Sequence, residues 1–414
     1  MRDAMIELFR AGVRRADPAA AVRSALDAGE GARPDAIVAL GKAAVAMARP
    51  AMDRWPGCPT LVVTTPENAI PLPGAHVLAG SHPVPDARSH AAGTALLGAV
   101  APLGAGQRAL ALISGGGSAL AVAPIAGVTL DQKAEVNRLL LGAGLDIRAM
   151  NVVRQALSRM KGGGLARAAA PARVDTLILS DVIGDDPAVV ASGPTVPGAR
   201  PSEARRILHA AGIWGRLPGA VRDTLDRDDE AAAVEVAPMG DVTLVGSNRL
   251  SVEAMAAAAP KARIDPVPLE GDVADAAAHV ARAARGAPGL TLWGGETTVR
   301  LEGAGRGGRN QELALRVAAL LSGAGTDPAS GLARPWAFLS GGTDGRDGPT
   351  DAAGALVDHG TLDRIAAAGL DAHAALARND SYPALDAAGD LLRTGSTGTN
   401  VADLQILWVG RGPV

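Results

Sequence analysis

The sequence predicts an α/β protein, built from parallel sheets with covering helices and divided into more than one domain. Three observations predict it. Short apolar runs alternate with longer, Ala-rich segments of helical length, the rhythm of strands and their crossover helices. Several of those runs end directly in glycine, serine and acidic residues, and open parallel sheets bind ligands outside the carboxyl ends of their strands. At 414 residues the chain is long enough for two or three ordinary domains.

In chain order, the opening residues read as an amphipathic helix through Ile6, Phe9 and Val13; they lack the long apolar core and the cleavage site of a signal peptide. Candidate strands follow at Ala36–Leu40, Leu61–Thr64, His76–Ala79, Ala109–Ile113 and Thr176–Leu179, then at Val242–Val245, Leu290–Trp293, Ala337–Leu339 and Gln405–Val409. The stretch from Ala109 to Leu130 carries no charge, but Gly115, Gly116, Gly117 and Pro124 break it into a strand, a glycine loop and a short element, not a membrane helix. Ile147, Met150, Val153, Leu157 and Met160 form the apolar stripe of one further helix, which Gly162 can end. Residues 195–240 are rich in Pro, Arg, Asp and Ala with no strong strand, and the domain boundary is placed there, between residues 235 and 236. No repeat recurs at a solenoid period.

Composition removes several function classes. The net charge is −3 and aromatic residues make up 2%. Neither a basic footprint nor a stacking platform for nucleic acid is present, and nothing favours an anionic membrane surface. The single cysteine, Cys58, rules out an internal disulfide framework and a multi-thiolate metal site, which fits a reducing cytoplasm. No HExxH, GxSxG or Walker A sequence occurs. Oligomeric state is not assigned.

Several places carry candidate chemistry. Ser114-Gly115-Gly116-Gly117-Ser118 follows an apolar strand; its N–H groups and hydroxyls suit a phosphate or carboxylate, and a flexible turn would use the same residues. Gly41-Lys42 precedes a helix, where a lysine adds its charge to the positive helix end; a surface lysine is the alternative. In Arg306-Gly-Gly-Arg309-Asn310-Gln-Glu312, Asn310 is a plausible N-cap and Arg309 a fork for an anion, against a reading of solvated arginines. Asp181 and Asp185 on one loop, and Asp344 on another, are candidates for holding Mg²⁺ or for taking a hydroxyl proton; capping of turns is their competing use. Asn151 and Arg154 on the polar side of their helix, with Glu296, Asn310 and Asp344, are candidates to line a substrate cleft. Gly303 to Gly308 spells GxGxxG, yet the alternating segment Thr297–Glu302 before it is unlike a buried Rossmann first strand.

The segments ALGKAA, SHPVPD, LISGGGSAL, NVVRQALSRMKGGGLA, LILSDVIGDDPAVVASGPT, WGGETTV, GGRNQELAL, LSGGTDGRDGPTDAAGA and TGSTGTNVADLQIL run in order from about residue 35 to residue 408. Together they resemble the glycerate kinases with a MOFRL domain. The departure is Ser396, where that family's proline would stand. The resemblance implies an N-terminal Rossmann-like domain over residues 1–235 and a smaller C-terminal α/β region over 236–414 containing the MOFRL domain, about 288–408. It implies an active site in the cleft between them, ATP and Mg²⁺ as cofactors, and D-glycerate as a small-molecule substrate giving 2-phosphoglycerate. It points to Lys42 and Arg309 as catalytic cations. The reading of the residues themselves adds the Ser114–Ser118 loop and Lys42 on the nucleotide phosphates, and Asp181 or Asp344 as the group that carries Mg²⁺ or takes the hydroxyl proton. Some relatives carry the label hydroxypyruvate reductase, so an NAD(P)H-dependent reductase is the second expectation, and a non-catalytic binding protein the third.

Overall fold

The computed structural model describes residues 1–29, 31–227, 239–323 and 331–411. The boundary expected between residues 235 and 236 lies outside them. The chain divides into two compact units, Pro18–Val245 and a second made of Met1–Asp17 with Gly246–Val414.

The first unit is organised on a six-stranded sheet. Its strands are β1 (Ala36–Leu40), β2 (Thr60–Thr64), β3 (Ala75–Ala79), β4 (Arg108–Ser114), β5 (Arg173–Leu179) and β6 (Met239–Gly246), in the order β3-β2-β1-β4-β5-β6. The pairs β3–β2, β2–β1, β1–β4 and β4–β5 are parallel. β1, fully buried, reads as an unbroken apolar run because helices cover both faces. The helix Ala87–Val100 starts at a capping box, in which Asp86 accepts the backbone N–H groups of Arg88 and Ser89 and the Ser89 side chain returns to the Asp86 N–H. Its Leu96 joins Leu40, Ile113, Leu165 and Ile178 in one core cluster. A second, helical core is built by Leu130–Gly142, Ile147–Ala156, Pro201–Ala210 and Gly219–Arg227 around Leu140, Val153 and Leu208.

The second unit carries β7 (Arg263–Ile264), β8 (Leu269–Asp272), β9 (Gly289–Thr298), β10 (Trp336–Gly342), β11 (Gly354–Asp358), β12 (Leu391–Leu392) and β13 (Asp403–Val409). Their order is β12-β11-β10-β13-β9-β7, with β8 also on β9. Alternation along the strands serves two cores. Trp293, Trp336, Phe338 and Leu407 face the helices Val273–Ala284 and Arg309–Leu321. Leu292, Leu339, Leu404 and Ile406 face Met5, Phe9 and Met255 from the helices Arg2–Arg15 and Asn248–Ala258.

Two expectations are corrected here. The sheet of this unit is mixed, not parallel throughout: β12–β11, β11–β10, β10–β13 and β13–β9 are antiparallel, while β7 and β8 pair with β9 in parallel. The cause is local, since β10 returns to β11 through residues 343–353 with no intervening helix, and a parallel pair needs a longer crossover. The opening helix does not belong with the residues that follow it. Phe9 is fully buried against the second unit, and Arg2 pairs with Asp358 and Asp390 there.

No helix among the described residues is long and apolar enough to cross a membrane.

Candidate active site

In the first unit the strand order reverses between β1 and β4, so the loops leaving these neighbours lie side by side. This switch point is where doubly wound sheets take their ligands. The two loops are tied by backbone. The Lys42 N–H donates to the Gly115 carbonyl at 2.9 Å, and the Ala43 N–H donates to Ser114 Oγ at 3.1 Å. Gly41, at φ +128°, turns the chain where a side chain would overlap Ser114, so only glycine serves. Ser114 is buried, and its hydroxyl is used in this tie. Gly117 is also buried, packed on Leu40 and Ala191.

What the loop presents outward is therefore narrower than its sequence suggests. Gly115 faces the Asp181 carboxylate so closely that a β-carbon would overlap it. Gly116, at φ +80°, faces the Lys42 stem and the His82 ring. Lys42 is half-buried, and no acceptor lies within hydrogen-bond distance of its ammonium among the described residues. Burial holds the His82 imidazole below its ordinary value, and the Lys42 charge adds to this. Asp185 sits four residues beyond Asp181 on the same loop, at φ +56°.

The second unit builds a different arrangement. Antiparallel register sets Asp403, the first residue of β13, opposite both Gly295 near the end of β9 and Gly342 at the end of β10. Arg309 opens its helix and grips Asp403 with two parallel bonds, Nε to Oδ2 at 2.7 Å and Nη2 to Oδ1 at 3.0 Å. Its Nη1 donates to Glu296 Oε1 at 2.5 Å. Burial works against the guanidinium charge, but the Asp403 and Glu296 carboxylates raise its pKa above the ordinary value. Asp344 and Asp403 both flank the Gly342 backbone, and Asp344 Oδ1 accepts the Arg346 N–H at 2.9 Å, a turn cap as its competing use anticipated.

The start of the Arg309 helix is not an open anion site. Asp347 fills it, accepting the N–H of Asn310 at 3.1 Å and of Gln311 at 2.8 Å. The cap residue is Gly308, not Asn310. Nor does Asn310 face a cleft: it is 1% exposed, its Oδ1 accepting from Ser340 and its Nδ2 turned to Asp347. In the GxGxxG run, Gly303 and Gly305 pack on the backbone at Arg378 and Gly308 packs on Asp347; no strand enters this loop directly, since β9 stops at Thr298. Arg306 is exposed, as read, but its guanidinium lies 4.1 Å above the Tyr382 ring.

In the first unit Arg154 donates from Nε and Nη2 to Asn137 Oδ1, at 2.9 and 2.5 Å, while Asn151 is half-buried on the same helix. That helix ends at Ala156, short of the expected stop at Gly162, because the Ser158 hydroxyl captures the N–H groups of Met160 and Lys161 at 3.2 Å each. No group of three or more His, Cys, Asp or Glu is placed to hold a metal ion among the described residues, so Asp181, Asp185 and Asp344 do not form such a cluster.

A family model described as a domain of unknown function, DUF4147, matches residues 4–226, and the MOFRL family model matches residues 289–403. A Homo sapiens glycerate kinase is 41% identical over 361 residues, covering 72% of this chain and 67% of that protein. This chain belongs to the glycerate kinase family with a MOFRL domain. The crystal structure of a Thermotoga maritima glycerate kinase matches with a TM-score of 0.89 at 33% identity, covering 99% of both chains. Within the family, a protein of Agrobacterium vitis that carries a hydroxypyruvate reductase name is 42% identical over 431 residues, 99% of this chain and 94% of that protein. Five residues around these sites were not assigned to a site from the sequence: Asp403 and Lys133 had no reading, His82 reads as part of a rigid turn, Asp347 as one of the loop acids and Lys161 as part of a helix face. Asp403 had a signal in the motif ending NVADLQIL, and Asp347 in TDGRDG, but neither motif says which distant backbone or arginine its carboxylate meets.

Proposed function

We propose that this protein phosphorylates D-glycerate with ATP, at the 2-hydroxyl, giving 2-phospho-D-glycerate and ADP. The observation that carries the reading is the half-buried Lys42 ammonium, without a protein acceptor among the described residues, beside a glycine loop at the switch point of a doubly wound sheet. Phosphoryl transfer needs positioning and charge neutralisation more than covalent help from the protein. Lys42 and the N–H groups of Gly115 to Gly117, with Ser118, serve the nucleotide phosphates. Asp181 takes the hydroxyl proton or helps to hold the metal. Arg309, oriented by Asp403 and Glu296, directs its remaining N–H groups to glycerate or to the transferring phosphoryl group.

Magnesium fits this donor set. Mg²⁺ is usually held by one or two carboxylates with phosphate oxygens and water, and the Asp181 carboxylate against Gly115 supplies one such ligand at the loop. When bound, the ion would neutralise phosphate charge. Asp185 and Asp344 are the further candidates.

The reductase reading has the Agrobacterium vitis name in its favour. Two assays on the purified chain separate the readings: ATP with D-glycerate, and NADH with hydroxypyruvate. Turnover is expected in the first alone, abolished by EDTA and restored by Mg²⁺, with NMR of the product placing phosphate on C2. Turnover in the second alone would overturn the kinase reading, and phosphate on C3 would overturn the position.

A further inference from the structure

Next to the glycine loop, the first unit holds a partly open cavity of about 420 Å³ whose lining reaches Ser118. Its walls are mostly aliphatic, from residues such as Val136, Leu140, Val153 and Leu157. Its titratable lining groups are Lys133, Arg138, Arg154 and Lys161, and no aspartate or glutamate joins them. Lys161 is 6% exposed, and its ammonium has no hydrogen-bond acceptor among the described residues. Lys133 donates to the Leu157 carbonyl at 3.1 Å. Arg154 spends two donors on the neutral Asn137 amide and keeps the others.

Gathering cations in an apolar cavity without counter-charge is costly unless an anion completes the set. The strain is visible in the lysines: burial first, then neighbouring positive charge, lowers Lys133 to about 7 and Lys161 well below its ordinary value. The early end of the Ile147–Ala156 helix places the turn carrying Lys161 at this lining.

We propose that this cavity is the carboxylate subsite for the hydroxy acid, with Lys161 and Arg154 as its donors and Lys133 as supporting charge. The proposal rests on the glycerate reading above. The lining suits a small acid better than a nucleotide base. No aromatic ring offers a stacking face, and the Asn137 amide oxygen is already occupied by Arg154, whereas a carboxylate asks only for donors. The cavity borders the loop assigned to phosphate through Ser118, so acid and phosphate donor would meet at adjacent places.

The test uses Lys161→Met and Arg154→Lys in the full chain, read by calorimetric binding of D-glycerate, by thermal shift and by steady-state kinetics. Glycerol, which lacks the carboxylate, is the control. Lys161→Met should fold at least as stably as wild type without ligand, because it removes a buried ammonium. It should bind D-glycerate at least tenfold more weakly and raise its KM by a similar factor, with kcat and the KM for ATP within about twofold. Arg154→Lys should follow the same pattern, and glycerol should shift neither protein. Unchanged glycerate affinity in Lys161→Met, or a rise in the KM for ATP instead, overturns the subsite and leaves the kinase reading standing. A wild-type chain that binds glycerate through Lys161 but never phosphorylates it keeps the subsite and overturns the kinase.

Discussion

The two loop regions treat their cations in opposite ways. In the first unit Lys42 stands half-buried beside the glycine loop, and Lys161 lines its cavity, neither with a carboxylate partner among the described residues. In the second unit Arg309 is gripped by buried Asp403 and by Glu296, and the start of its helix is filled by Asp347. A desolvated cation without counter-charge is a place prepared for an anionic ligand. A cation held bidentately by a buried acid is first of all a fixed piece of framework, able to aim only the donors that remain. Identical positive charges on the sequence thus carry different obligations, and each can be tested.

The largest effect is expected at Arg309. Asp403 is fully buried, and removing one partner of a buried pair costs about 3–5 kcal/mol because the other charge is left uncompensated. Arg309→Ala should therefore lower the melting temperature as well as kcat/KM. Arg309→Lys should be nearly as damaging, since a single ammonium cannot make the two parallel bonds. Pairing Arg309→Met with Asp403→Leu should recover much of the melting temperature without recovering activity. A melting temperature that Arg309→Ala leaves unmoved would erase the contrast between the two regions.

Lys42 should show the reverse balance. Lys42→Ala should cut kcat/KM by roughly a hundredfold or more, the scale of losing one charge-stabilising donor, while the melting temperature holds. Near wild-type kinetics would remove Lys42 from the mechanism, and a large stability loss would show that its charge is structural after all.

The same contrast marks what was legible in the sequence. Strands β1, β4 and β5 were readable because both their apolar runs and the glycines and acids after them are local patterns. Lys42 and the Ser114–Ser118 loop came with them. β11 and β12 were not read, since Gly354–Asp358 and Leu391–Leu392 are short and gain their stability from antiparallel neighbours. The Arg309–Asp403 pair spans 94 residues of chain and exists only through the register of β13 against β9 and β10. Lys161 was read as part of a helix face, because one serine hydroxyl decides where that helix stops.

A smaller effect sharpens the account of the acids in the second unit. Burial pushes the Asp347 carboxyl up to about 7 from 3.8, against the lowering effect of the Gln311 and Asn310 N–H groups; Asp403 raises it further and Arg309 lowers it. The folded state then holds a proton that the unfolded state has released, so this group's contribution to stability is greatest below about pH 4 and is lost as pH rises toward 7. Melting temperatures measured from pH 4.5 to 8 should fall more steeply in wild type than in Asp347→Asn, which has no proton to exchange. Parallel curves would mean that Asp347 is ionised throughout, as a helix cap facing a more polar setting would be.

The smallest effect belongs to Arg306, and it decides whether the contrast concerns particular residues or merely positive charge near a glycine turn. Arg306 lies three residues before Arg309 in the same segment, and it too could supply potential to a phosphate. Its surroundings differ. It is exposed, its guanidinium stacks 4.1 Å above Tyr382, and among the described residues no carboxylate pairs with it. An exposed contact of this kind is worth about 0.5–1 kcal/mol, and long-range potential from an exposed charge is screened within roughly 8 Å at physiological salt. Arg306→Ala should therefore lower the melting temperature slightly and leave kcat and both KM values within about twofold, at low and at moderate salt. If charge density alone mattered, the variant would lose activity at low salt and the loss would shrink as salt is added. A defect exceeding that of Arg309→Ala would transfer the anion-binding role to Arg306 and leave Arg309 as framework alone.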